Sequence, residues 1–209
     1  MTLRKRRRVR DRRGTPRVEE RPGVIALPLP EPPLAGTRYG LRPWAPEDAS
    51  ALAAAWADPE IRLRLPVPDP ADETAAAKWI DGCASRRTAG LALDLVVVDL
   101  SEPDRAVVHG EVGLSAVDRN RGTARIGWWT AADHRRRGAA TEAVALMTRW
   151  ALDPLGLDAL VAEVDPDNIA SLTVARKVGF ENLSRPVDGR TVLVARPPEG
   201  RGRRTTGRV

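Results

Sequence analysis

Apolar and polar positions alternate over residues 37–43, with Tyr39 and Leu41 on one face, and predict a first strand. A helix is predicted from Pro46 to about Ala57. Proline suits a first turn, Glu47 and Asp48 suit the positive helix end, and Leu52 and Trp56 fall one turn apart. Asp58-Pro59 breaks it. Residues 72–87 carry Ala75, Ala76, Trp79, Ile80 and Cys83 at helical spacing and predict a second helix. Three strands follow, at 91–100, 107–117 and 123–130. Their links are short and turn-rich (Ser101-Glu102-Pro103-Asp104 and Asp118-Arg119-Asn120-Arg121-Gly122), so an antiparallel meander is expected.

The period then changes. Residues 138–152 place Ala140, Val144, Met147 and Trp150 near one helix face, 159–165 read as a strand, and 168–178 as a helix. Strands at 180–184 and 191–195 flank an Asp188-Gly189 turn. Antiparallel strands followed by a strand–helix–strand segment make an α+β fold with a mixed, mostly antiparallel central sheet of about seven strands and four helices.

Charge divides the chain. Residues 1–36 carry ten Lys or Arg against four Asp or Glu, and residues 196–209 carry five Arg against one Glu. The whole chain is +6, so the stretch between has a net charge of −4. A cationic surface on the domain therefore does not follow from the overall basic balance. The first segment is Arg-rich and then Pro-rich, without an alternating apolar pattern. The expected organisation is a disordered arm over 1–36, a domain over 37–196 and a basic disordered tail over 197–209. The Arg runs offer weak contact with nucleic acid or a ribosome through phosphate neutralisation. Arg12-Arg13 is not read as an export signal, because residues 14–36 hold acids and prolines rather than an apolar run. No stretch has the roughly 20 apolar residues of a membrane span. A cytoplasmic location is expected. Cys83, the one cysteine, excludes an intrachain disulfide and is read as a core residue of its helix.

Candidate chemistry lies between Thr123 and Phe180. A strand ending Trp128-Trp129-Thr130 runs through a loop into Arg135-Arg136-Arg137-Gly138-Ala139-Ala140, which opens a helix. The first amides of a helix have no internal partners, and a glycine lets the backbone approach a ligand, so this turn suits a diphosphate. Asn168, thirty residues after Gly138, sits where a second helix needs its N-cap, and Gly179 where that helix must stop.

On these residues the chain resembles the GNAT superfamily, and within it the ribosomal-protein N-terminal acetyltransferases. The diphosphate signature R/Q-x-x-G-x-G/A is met by Arg135, Gly138 and Ala140. Ile126-Gly127-Trp128-Trp129 looks like the branch's central strand. Gly138-Ala139-Ala140-Thr141-Glu142-Ala143 matches its helix start, and Asn168, Ala170, Ser171, Lys177, Gly179 and Phe180 match its later helix. Leu41-Arg42-Pro43-Trp44 with Glu47-Asp48-Ala49 resembles its beginning.

The resemblance implies a parallel pair of strands, 123–130 and 159–165, splayed apart around acetyl-CoA, with no metal. It implies pantetheine bonding at Trp129, Thr130 and Ala131, and diphosphate bonding around Arg135 and by the amides of Arg136, Arg137, Gly138, Ala139, Ala140 and Thr141. It also implies a nucleotide-phosphate contact from Lys177 or Arg176. The implied reaction is transfer of an acetyl group to a primary amine, a protein N-terminus or a small amine. Arg125 stands where the branch often has Glu, so Glu111 on the neighbouring strand is taken as general base, with Glu163 and Asp165 as further candidates. Glu142 is assigned to support of the helix start. Ala175 stands where many superfamily members have Tyr, so Ser171 is taken as proton donor to the leaving thiolate, with Asn168 ordering a water or the pantetheine; both residues also suit simple helix capping. His109 and His134 are too scattered in sequence for a metal site. The competing readings are a catalytically degenerate domain that binds acyl-CoA or a protein partner, and a nucleic-acid-binding protein acting through its tails. Both monomers and homodimers are compatible with the family.

Overall fold

The computed structural model describes residues 25–102, 107–183 and 188–198. The strands are β1 (Tyr39–Pro43), β2 (Ala92–Asp99), β3 (Gly110–Asp118), β4 (Thr123–Thr130), β5 (Ala159–Val164), β6 (Glu181–Asn182) and β7 (Thr191–Ala195). They form one sheet in the order β1-β2-β3-β4-β5-β7-β6. All neighbours are antiparallel except β4 and β5, which are parallel. The expected α+β mixed sheet is therefore present. The β3–β4 hairpin is closed by the Asp118 carboxylate, which accepts from the amides of Asn120 at 2.9 Å and Arg121 at 3.0 Å.

The helices are α1 (Ala49–Ala57), α2 (Pro59–Arg64), α3 (Glu73–Thr88), α4 (Ala139–Leu152) and α5 (Ile169–Val178). The sequence pattern gives four helices; the described residues contain five, and α2 is the addition. Asp58-Pro59 does stop α1. The Asp58 carboxylate then accepts from the Glu60 amide at 2.9 Å, and Pro59 takes the first helical position, so the same pair starts the next helix. Residues 46–48 form a tight 3-10 turn before α1. Buried Asp48 holds that turn: it receives the Arg42 guanidinium at 2.6 and 2.8 Å and the Ala45 amide at 2.9 Å.

The sheet has a core on each face. Residues alternate along β4, sending Ala124 and Ile126 toward α4 and Trp129 toward α1 and α3. On the α4 side Val144, Met147 and Ala151 are fully buried against Leu114, Leu160 and Leu193. On the other side Trp44, Leu52, Trp56, Ala76 and Ile80 pack around Val96 and Trp129. Cys83 is partly buried at the edge of this second core, where burial pushes its thiol up to about 12.

One boundary needs correction. Residues 25–36 were expected to belong to the arm, but they lie against the domain. Leu27 is fully buried, its amide donates to the Arg87 carbonyl at 3.0 Å, and Arg87 donates back to the Leu27 carbonyl at 2.8 Å. The Leu41 amide donates to the Leu34 carbonyl at 2.8 Å, and Ala35 bridges Gly40. Ile25, Leu27 and Leu29 alternate, but Pro28, Pro30, Pro32 and Pro33 interrupt the run before it can read as a strand, which is why the sequence pattern missed it. The Arg-rich residues 1–24 and the end of the tail, 199–209, lie outside the described residues. Among the described residues no helix is long and apolar enough to cross a membrane.

Candidate functional site

β4 and β5 pair at Thr123↔Ala159, Ala124↔Leu160 and Arg125↔Val161, and no further. β4 runs on to Thr130 and β5 to Val164, so the two strands part company beyond the third residue pair. On the other side β4 stays paired with β3 along its length.

The register on that side decides which backbone groups face the gap. The Ala131 amide donates to the His109 carbonyl at 3.0 Å, directly across the hairpin. In an antiparallel ladder such exchanging pairs alternate. Trp129 opposite Glu111, and Gly127 opposite Gly113, therefore turn their amides and carbonyls toward β3. A β-carbon at Gly110 would collide with the Trp129 carbonyl oxygen, which agrees with that direction. Ile126, Trp128 and Thr130 turn theirs toward the gap. The backbone groups of Trp129 and Ala131, expected from sequence to bond pantetheine, thus face β3, while those of Trp128 and Thr130 face the gap. The alternation rule was available from sequence; its phase was not.

Beyond Thr130 the chain makes a 3-10 turn, Ala132–His134, and reaches α4 through Arg136 and Gly138, both left-handed, with φ of 60° and 88°. Turns of this kind aim successive amides at one concavity. Gly138 is the N-cap of α4 and makes no side-chain cap, so the first amides of the helix are left for a ligand. A β-carbon there would have open space but the wrong φ.

These features surround a cleft of about 650 Å³. Its lining includes the expected Trp129, Thr130, Arg135, Arg136, Gly138, Ala139, Ala140, Thr141, Asn168, Ser171 and Lys177. Ala131, Arg137 and Glu111 do not line it, nor does Arg176. Trp128 and four residues of α2 and the turn after it, Glu60, Ile61, Arg64 and Leu65, are lining residues the sequence reading did not name.

The three arginines differ. Arg136 is exposed at the cleft. The Arg137 side chain is exposed, and its carbonyl accepts from the Tyr39 hydroxyl at 3.3 Å. The Arg135 guanidinium is engaged within the protein: it donates to the Thr130 carbonyl at 3.2 Å and pairs with Asp58. It braces the loop while also lining the cleft, where a diphosphate contact is expected from sequence.

At the head of α5 the Asn168 side-chain oxygen accepts from the Ser171 amide at 3.0 Å, so Asn168 caps the helix while both residues line the cleft. Glu142 serves the N-terminal segment: its carboxylate accepts the Arg38 amide at 3.0 Å. Ala175 is fully buried in the core.

Of the carboxylates, Glu163 is paired with Arg125 at 3.0 Å, across the point where β4 and β5 separate. Asp165 is paired with Arg64 at 3.1 Å and Arg190 at 3.3 Å. Glu111 lies opposite Trp129 on the α1–α3 face and accepts from the Trp44 indole N–H at 3.0 Å. Burial pushes its carboxyl up to about 8, and the charge of Asp94 adds to this against the opposing pull of Trp44, Arg86 and Trp129. Asp94 is itself raised by burial, and Arg86 at 3.3 Å offsets part of that.

His109 and His134, far apart in sequence, stack with ring centroids 3.7 Å apart. Each Nδ1 is buried without a hydrogen-bond partner. Burial lowers both imidazoles; at His109 the second ring adds to this, and at both Arg137 does. Among the described residues no group of three or more His, Cys, Asp or Glu is arranged to hold a metal.

Residues 38–181 match the acetyltransferase (GNAT) domain family. The uncharacterized N-acetyltransferase p20 of Bacillus licheniformis is 27% identical over 144 residues, which are 69% of this chain and 79% of that protein. Among solved structures, a putative ribosomal-protein-serine acetyltransferase from Vibrio cholerae superposes with a TM-score of 0.68 at 17% identity, over 81% of this chain and 99% of its own. RimJ of Mycobacterium smegmatis, solved in complex with CoA-disulfide, gives 0.66 at 22% identity, over 79% of this chain and 85% of its own. At these identities the two structures speak for the fold.

Proposed function

Because this chain belongs to the GNAT acetyltransferase domain family, we propose that it moves the acetyl group of acetyl-CoA onto a primary amine by direct attack of the amine on the thioester. One observation carries the reading: the strands β4 and β5 separate after Arg125, and the opening leads to the uncapped head of α4. Backbone groups facing an unzipped edge need partners. A peptide-like pantetheine arm supplies them at Trp128 and at the Thr130 amide, the Thr130 carbonyl already accepting from Arg135, and the diphosphate rests on the amides from Arg136 to Thr141. Lys177 lines the same cleft and suits the nucleotide phosphate.

In this reading the thioester lies deeper than the pantetheine amides, and the Trp128 amide holds the carbonyl oxygen as it gains charge. The amine nitrogen bonds to the carbonyl carbon, the carbon–sulfur bond breaks, and the amine proton passes through water to Glu111, which lies behind the cleft opposite Trp129. Glu111 is preferred over Glu163 and Asp165 because those two are neutralised by arginines, whereas its raised carboxyl has the basicity to take a proton. Ser171 gives a proton to the leaving thiolate, and Asn168 fixes the helix turn that carries it. Relatives named as ribosomal-protein acetyltransferases favour a protein N-terminus among the possible amines.

Release of free thiol from acetyl-CoA, measured against N-terminal peptides and small amines, tests this reading. Turnover with at least one amine supports it; tight acetyl-CoA binding with no turnover across the panel would instead mark a binding domain. Gly138→Glu puts bulk and negative charge at the diphosphate cradle and is expected to abolish acetyl-CoA binding, as read by calorimetry.

A further inference from the structure

The short helix α2 is fastened at both ends to the two turns that frame the cleft. At its start, Asp58 pairs with Arg135 of the loop before α4. The Asp58 side chain is largely withdrawn from solvent, while Arg135 stays partly exposed at the cleft. At its end, Arg64 donates to Asp167 at 2.8 and 2.9 Å and to Asp165 at 3.1 Å, in the turn between β5 and α5. That two-pronged contact holds the Asp167 carboxyl below the usual carboxylate range. Between the two fastenings Glu60, Ile61 and Arg64 line the cleft. Packing alone gives α2 little support, since Ile61 is its one buried residue and Leu63 is exposed. Six residues are too few for a helix to hold itself in water. The ion pairs therefore add to Ile61 in holding α2, one tie at each end of the helix.

We infer that α2 is a clasp that joins the diphosphate loop to the head of α5, so that loading the cofactor loop sets the position of the wall against which the acceptor amine is received. Asp58 and Arg64 are positioning residues in this scheme: neither touches a reacting atom, and each acts through the turn it holds. The inference rests on the cofactor reading proposed above, because Arg135 transmits the change only if its loop binds the diphosphate. It also assigns the Arg135 side chain to coupling, leaving the amides to hold the anion.

Hydrogen exchange read by mass spectrometry, with coenzyme A as the probe, separates the two. In the wild-type chain coenzyme A is expected to slow exchange in residues 136–142 and also in 60–65. Asp58→Asn keeps the N-cap, because asparagine caps as well as aspartate, but removes the charge. It should retain the slowing at 136–142 and lose at least tenfold of the slowing at 60–65. Arg64→Gln should do the same from the far end, and Arg64→Lys should restore part of it. Equal slowing at 60–65 in wild type and both variants, or none in wild type while 136–142 responds, overturns the clasp. Absence of any response at 136–142 in the wild type overturns the cofactor reading, and the clasp with it.

Discussion

Glu111 shows how one side chain acquires a function from what surrounds it. On a two-sided strand a glutamate is ordinarily a solvated surface residue. Here it lies opposite Trp129, bonded to the Trp44 indole, near Asp94. Removing its carboxylate by Glu111→Gln is expected to slow acetyl transfer by about 10²- to 10⁴-fold, the usual worth of a positioned base. Acetyl-CoA affinity should stay the same. The wild-type rate should rise with pH through about 8, since a base works only when deprotonated. Trp44→Phe removes a donor that favours the charged form, so the same rise should move to higher pH. A profile unchanged in both variants would remove Glu111 from the mechanism. Sequence named Glu111 because it stands beside a strand that departs from the family at Arg125. It gave no view of Trp44, whose indole reaches Glu111 from 67 positions away.

Between elements, the turn Ala132–His134 is held to the start of β3 by the stacked imidazoles. Both imidazoles are lowered in the fold, by burial first and then by the second ring at His109 and by Arg137 at His134. Tyr39 packs on His109, while Arg38, Arg137, Asp99, Asp133 and Glu102 supply the surrounding charge. Because the folded values lie below the ordinary 6.5, the unfolded chain takes up protons first as pH falls. The stability that the two rings contribute is full above about 6.5 and declines below it, by at most ~1.4 kcal/mol per pH unit for each ring, while Glu111, raised above its ordinary value, changes stability in the opposite sense over the same range. Denaturant titrations of wild type and His109→Phe from pH 7.5 to 5 isolate this contribution: the stability of the wild type relative to the variant should fall as pH falls, and a constant difference would contradict the account. The element scale is also where sequence was most legible. The meander, the Gly138 helix start and the Asn168 cap follow from strict periodicity and cap chemistry, and all are present. What it missed are contacts made by fold closure: the histidine stack, the Arg135–Asp58 pair and α2, whose six residues are too short to show a period.

At the scale of the whole molecule, the domain is larger than its repeating pattern indicates, because residues 25–36 complete the α4-side core through Leu27 and Leu34. A chain starting at residue 37 should be less stable than one starting at 25, and Leu27→Ala alone should cost ~2–5 kcal/mol, as for other buried leucines. Comparison of their denaturant midpoints checks this; equal midpoints would return those residues to the arm. Among the described residues the strands form one sheet in which β4 and β5 pair over three residues only, and activity is ascribed to the opening beyond them. The most direct test is residue-resolved amide NMR of the chain titrated with coenzyme A. The amides of Trp128 and Thr130 and those of residues 136–141 should shift and gain protection, while those of Trp129 and Ala131, already bonded to β3, should keep the protection they have. Saturating coenzyme A that leaves Trp128 and Thr130 unmoved, or that perturbs a different surface, would contradict the account.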